Sequence, residues 1–164
     1  MPLDDQSAWV LLRRLDDPQY MEFPRGYDAD ATRARFERLA ARLDARFRCT
    51  CAVDGQAQDA SLHGTIVIPE AAADSADHIT VTLSNFGNLA VVTLGDPGSY
   101  DEEDERELFH ATDRIRVEED LEALGYTAIP AHLLVTGYDG DSDLVSYYPP
   151  EHPPTWWIRF FAYL

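Results

Sequence analysis

The stretch ITVTLSNFGNLAVVTL, Ile79 to Leu94, decides the fold. Ile79, Val81 and Leu83 alternate with Thr80, Thr82 and Ser84, the period-two pattern of a half-buried strand. Asn85–Asn88 (NFGN) supplies turn residues, with Gly87 free to take a positive φ. Leu89–Leu94 then reads as the return strand. Upstream, Ser61–Ile68 reads as a strand ended by Pro69, and Phe47–Val53 (FRCTCAV) alternates before Asp54-Gly55. These four strands make two consecutive hairpins, hence an antiparallel meander. Thr127–Ile129, just before Pro130, is a candidate fifth strand.

Helical periodicity flanks this block. Across about Asp30–Phe47, residues Phe36, Leu39, Ala40, Leu43 and Phe47 recur at i, i+3, i+4, i+7 and i+11, and Asp28 or Asp30 can cap the helix. Its outward side carries Arg33, Arg35, Arg38, Arg42 and Arg46. Ser7–Leu15 reads as a shorter amphipathic helix, followed by a loop punctuated by Pro18, Pro24 and Gly26. After Gly95, Pro97 and Gly98, Asp101–Thr112 reads as a helix whose acidic first turns suit the positive end of a helix dipole. Glu118–Leu124 adds a turn or two, with Gly125 as C-cap. Residues 131–138 fit either a strand or a helical turn. Tyr138–Pro154 reads as an irregular loop, and Thr155 caps a last aromatic helix, Trp156–Tyr163. The expected fold is a single α+β domain over residues 1–164. It has an antiparallel sheet of four to five strands with helices packed on it. The helix over 30–47 and the C-terminal helix are expected to cover one face.

Charge is divided unevenly along the chain. The net charge of −17 falls entirely on residues 49–164, which hold 4 Arg and 21 Asp or Glu; residues 1–48 hold nine of each sign. The densest run is Asp101, Glu102, Glu103, Asp104, Glu105 and Glu107, reinforced by Glu118, Glu119 and Asp120. Such a surface repels nucleic acid and anionic membrane and suits a basic protein partner. A second acidic group, Asp139, Asp141 and Asp143, resembles the start of a calcium loop. The positions that would need Gly and Glu are Leu144 and Pro150, so an Asp-rich turn is the better reading.

Signals for catalysis are missing from the sequence. It contains no G-x-S-x-G elbow, no G-x-x-x-x-G-K-[ST] phosphate loop, no G-x-G-x-x-G and no H-E-x-x-H. Every basic residue apart from histidine is Arg, so lysine Schiff-base chemistry is excluded. The five histidines form no metal-ligand pair, and Cys49-x-Cys51 by itself is a weak zinc signal. Those cysteines read as reduced strand residues sharing one face, in a cytoplasmic protein. No catalytic residue, metal or cofactor is assigned. Residues 1–17 lack a signal-peptide pattern, and no apolar run reaches the roughly 20 residues needed to span a bilayer.

The C-terminal segment TWWIRFFAYL places Trp157, Phe160, Phe161 and Leu164 on one helical stripe, with Trp156 and Tyr163 beside it. The favoured reading is a terminal helix docked on the sheet. The alternative makes Trp156, Trp157 and Phe160 aromatic anchors for a partner. In either case Arg159 needs a carboxylate.

ITVTLSNFGNLAVVTL (79–94), YDG (138–140) and TWWIRFFAYL (155–164) together resemble small acidic bacterial proteins of toxin–immunity loci. The resemblance implies a cytoplasmic antitoxin that occupies the active site or substrate groove of a basic toxin, often a nuclease. The expected function is therefore stoichiometric neutralisation of a cognate toxin through the acids at 101–107, 118–120 and 139–143. The alternative is a small-molecule-binding or enzymatic domain with a site around His63, Tyr138 and the loop Asp139–Asp143.

Overall fold

The computed structural model describes residues 3–55 and 60–162. The first helix, α1 (Asp5–Leu15), is capped by Asp4, whose carboxylate accepts the Ser7 amide. The second, α2 (Ala29–Phe47), is capped in the same way by Asp28, which accepts from the Ala31 amide. At its far end the helix period claims Phe47, which is buried with Phe36, Leu39 and Leu43. Arg48 then enters the left-handed region at φ 53° and returns its N–H to the Asp44 carbonyl. The strand anticipated from Phe47 is therefore only β1 (Ala52–Asp54). Cys49 and Cys51 lie in the turn before it, not on a strand.

The meander follows as expected, with β2 (Leu62–Ile68), β3 (Ile79–Ser84) and β4 (Leu89–Leu94). Leu89 closes the β3–β4 turn by donating to the Phe86 carbonyl. Its central residues, Gly87 and Asn88, have φ of 57° and 53°, as a type I′ hairpin turn requires. A Cβ at Gly87 would also meet Leu15 Cδ1 at 2.5 Å, so any larger residue in the turn would push the Leu15 side chain aside. The fifth strand, β5 (Thr127–Ala128), pairs parallel to β4. The sheet order is β1-β2-β3-β4-β5 and the sheet is mixed, within an α+β fold.

Between β4 and β5 the chain forms two helices, α3 (Glu102–Leu108) and α4 (Ala111–Ala123), so that the helix expected over Asp101–Thr112 ends at Leu108 and the turns expected over Glu118–Leu124 begin earlier, at Ala111. The break has a local cause. Phe109 turns into the core, and the His110 ring accepts the Thr112 amide as the cap of α4. Residues 118–124 are thus mostly the last turns of α4 rather than a separate element. The ambiguous segment after Pro130 resolves as a single helical turn, α5 (Ala131–Leu134). A 3₁₀ turn, Leu144–Tyr147, lies within the long loop, and the chain ends on α6 (Trp156–Phe161). Tyr163 and Leu164, the other members of the C-terminal stripe, lie outside the described residues.

The central strands β3 and β4 are covered on both faces, while β1 at the edge is exposed, and α2 and α6 lie on opposite faces of the sheet, not on the same one. Ile66, Val81 and Val92 align across β2, β3 and β4 and face α2 and α4, together with Leu39, Leu43, Val117 and Leu121. Leu89 and Val91 point the other way, into a second cluster with Leu12 of α1, Leu134 of α5 and Trp156 and Phe160 of α6. All six residues of β3 are buried, including Thr80 and Thr82. The alternation that marks a half-solvated strand here marks a strand between two layers. Of its polar residues, Ser84 donates to the Phe160 carbonyl at 2.6 Å, fixing α6 to the sheet, while the buried Thr80 and Thr82 hydroxyls find no hydrogen-bond partner among the described residues.

Candidate partner interface

The acids of α3 remain at the surface. Asp101, Glu102, Glu103, Asp104 and Glu107 are exposed, and Asp101 caps the helix by accepting the Asp104 amide. Seven residues with four acids in the first turn make a helix start that is strongly stabilised by its own dipole and by the cap. Arg106 pairs with Glu102 one turn away, whereas Glu103, Asp104 and Glu107 have no ion pair among the described residues. Glu105 is different. It is half-buried, accepts the Leu94 amide at 3.2 Å and pairs with Arg114 at 3.0 Å, so it holds α3 to β4.

The acids of α4 are mostly used internally. Asp120 is 2% exposed and accepts from Arg42 and Arg46, and Arg46 also reaches Glu119 at 3.4 Å. Arg114 lies 3.9 Å from Glu118, which is also buried. Of the five outward arginines of α2, Arg42 and Arg46 thus neutralise α4 across the helix pair, whereas Arg35 donates to Asn88 and Arg33 and Arg38 are exposed. Glu118 and Asp120 offer no surface to a partner, and Glu119 offers part of one. Asp113 is buried as well and accepts the amide and hydroxyl of Ser75, tying the β2–β3 link to α4.

The loop Asp139–Asp143 sits at the other end of α1 from α3. His132 links Asp5 with Glu102, at 3.0 and 3.8 Å. Arg13, eight residues on from Asp5 and about 12 Å further along the helix, pairs with Asp139 at 3.1 Å. The two acidic groups are therefore separate patches. Asp139 also accepts from the Trp156 indole at 3.2 Å, while Asp141 and Asp143 are exposed.

Beneath this loop is a buried polar network. Arg159 Nε donates to Asp16 Oδ1 at 2.6 Å, and the rest of its guanidinium donates to the carbonyls of Asp17, Tyr20 and Met21. The same guanidinium lies 4.8 and 4.9 Å from the ring centres of Phe86 and Phe160. The Tyr138 hydroxyl donates to Asp16 Oδ2 at 2.6 Å and receives the Ser142 amide. Burial, then the Asp16 carboxylate, pushes the Tyr138 pKa up. A Cβ on Gly140 would run into that carboxylate, so the tight loop needs glycine there. The carboxylate required by Arg159 is Asp16, in the loop just after α1.

Trp156 and Phe160 are fully buried and cannot serve as surface anchors; of the three candidates only Trp157 is partly exposed. The pocket imagined around His63 and Tyr138 is not assembled. His63 packs on Phe36 of α2 and bonds Asn85, while Tyr138 packs on Trp156 beyond the opposite face of the sheet. The cysteines are joined by Asp44 and not by a histidine. No helix among the described residues is long and apolar enough to cross a membrane.

Set against known proteins, the chain matches no family model, and neither a curated protein nor a solved structure matches it.

Proposed function

We propose that this chain is an immunity protein that neutralises a basic bacterial toxin by one-to-one binding, with the exposed face of α3 seated on the toxin's cationic groove. The observation that supports it is the sorting of the acids: Glu118, Asp120, Asp113 and Asp16 are buried on partners of their own, while Asp101, Glu102, Glu103, Asp104 and Glu107 remain in solvent. Charge concentrated on one face speeds encounter with a basic protein and makes the affinity depend on salt. Exposed Leu108, at the end of the same helix, adds an apolar contact beside the acids.

The test is a titration against the protein encoded beside this one, at low and high salt, with native chain and with Glu102, Glu103, Asp104 and Glu107 changed to Arg. One-to-one binding that weakens with salt and falls at least tenfold in the variant supports the reading. Equal affinity for the two chains would move the interface away from α3, and absence of binding at both salts would end the proposal.

A further inference from the structure

The turn after α2 gathers three side chains with metal-ligating atoms. Asp44, Cys49 and Cys51 each present an oxygen or sulfur, and these atoms lie within 4.8 Å of one another. The two sulfurs are 3.8 Å apart. Two thiolates bound tetrahedrally at about 2.3 Å from one zinc ion would sit about 3.8 Å from each other, whereas a disulfide needs about 2.05 Å. We propose that Asp44, Cys49 and Cys51 form a three-ligand site for a zinc-class divalent cation.

The local fold is built around this arrangement. Arg48 takes the left-handed conformation at φ 53°, unusual for a residue with a Cβ, and so reverses the chain over the end of α2. That reversal brings Cys49 and Cys51 back beside Asp44, one turn inside the helix. The Cys51 amide donates to Asp44 Oδ1 at 2.8 Å, which fixes the carboxylate as a neighbouring hydrogen bond commonly orients a metal ligand. Cys51 is buried and Cys49 half-buried, so the site has a closed floor and an open mouth. Three protein ligands leave a fourth position for water or a partner's side chain. The site also lies at the C-terminal end of α2, where the helix dipole favours a cation.

Two thiolates select a borderline or soft ion over magnesium or calcium, which prefer oxygen. The experiment uses the reduced, tag-free full chain, with Co²⁺ as spectroscopic probe and Zn²⁺ in competition with a chromophoric chelator. One equivalent of Co²⁺ should give a sulfur-to-cobalt charge-transfer band that Zn²⁺ abolishes and Mg²⁺ leaves unchanged. Cys49→Ser, at the half-exposed position, should remain folded by circular dichroism and lose at least tenfold in Zn²⁺ affinity. Asp44→Asn should also weaken binding while keeping the band's sulfur character. Absence of uptake by the reduced native chain would overturn the proposal. So would undiminished uptake by folded Cys49→Ser, or closure of the thiols to a disulfide together with no metal binding once reduced.

Discussion

Arg159 Nε and Asp16 Oδ1 are 2.6 Å apart although the two residues are separated by 143 positions in the chain, and both side chains are out of solvent. This pair joins α6 to the loop after α1, and through Tyr138 it also holds the loop before α6. Removing one partner leaves the other charge buried. Asp16→Ala should cost about 3–5 kcal/mol, measured by urea unfolding. Arg159→Met keeps much of the side-chain volume but abandons Asp16 and three carbonyls, so it should also destabilise. A loss below about 0.5 kcal/mol for either variant would show that the pair is not buried in solution.

The two kinds of acid should respond differently to neutralisation. Asp120→Asn weakens the contacts of Arg42 and Arg46 across α2 and α4, and should lower stability by about 1–3 kcal/mol. Glu103→Gln on the exposed face of α3 should change it by no more than about 0.5 kcal/mol. Paired denaturation curves check this, and equal effects would refute the division between internal and surface acids.

Arg48 and Gly87 hold positive φ for opposite reasons of sequence. Arg48→Gly removes the Cβ strain of the left-handed region, about 1–2 kcal/mol, against the smaller extra entropy loss of a glycine on folding, about 0.5–1 kcal/mol, so a net gain of about 0.5–1 kcal/mol is expected. Gly87→Ala introduces the same strain and a collision with Leu15, and should destabilise. Thermal midpoints that move the other way would contradict the backbone geometry.

Two histidines should titrate on opposite sides of the ordinary value of 6.5. Burial pushes His63 down, while hydrogen bonding to Asp96 raises His78. His63 therefore contributes stability above the unfolded-state value that is lost as pH falls through its lower folded value. His78 contributes below the unfolded-state value, and that contribution is lost as pH rises through its higher folded value. Ring-proton NMR titration reads both, and a His63 value above 6.5 would mean that it does not sit dry against Phe36.

The aromatic terminus gives a further contrast. Trp156→Ala and Phe160→Ala empty core positions and should each cost about 3–5 kcal/mol. Trp157→Ala, at a partly exposed site, should cost clearly less. If Trp157 is the most damaging of the three, the assignment of α6 to the core is inverted.

Much of the architecture was legible in residue order because it rests on local periods. The strands at Ile79–Leu94 and the i, i+3, i+7 stripe of Phe36, Leu39 and Leu43 need only backbone geometry, and these elements form where they are expected, although β3 is buried on both faces. The glycine of the hairpin turn and the Asp28 cap are equally local. Where two periods competed, at Phe47, helical packing took the residue and shortened the strand. The charge runs were visible too, but not their pairing. Whether Asp120 meets solvent or Arg42 depends on α2 and α4 lying side by side, and no spacing in the chain encodes that. Thr80 and Thr82 look like solvent-facing residues until α1, α5 and α6 close over the second face of the sheet. Period, turn chemistry and net charge are properties of neighbours in sequence, so the sequence by itself determined them. Tertiary structure alone decided which carboxylates of α4 are buried and that Arg159 meets Asp16. Such contacts arise between distant segments, through packing that no local pattern records.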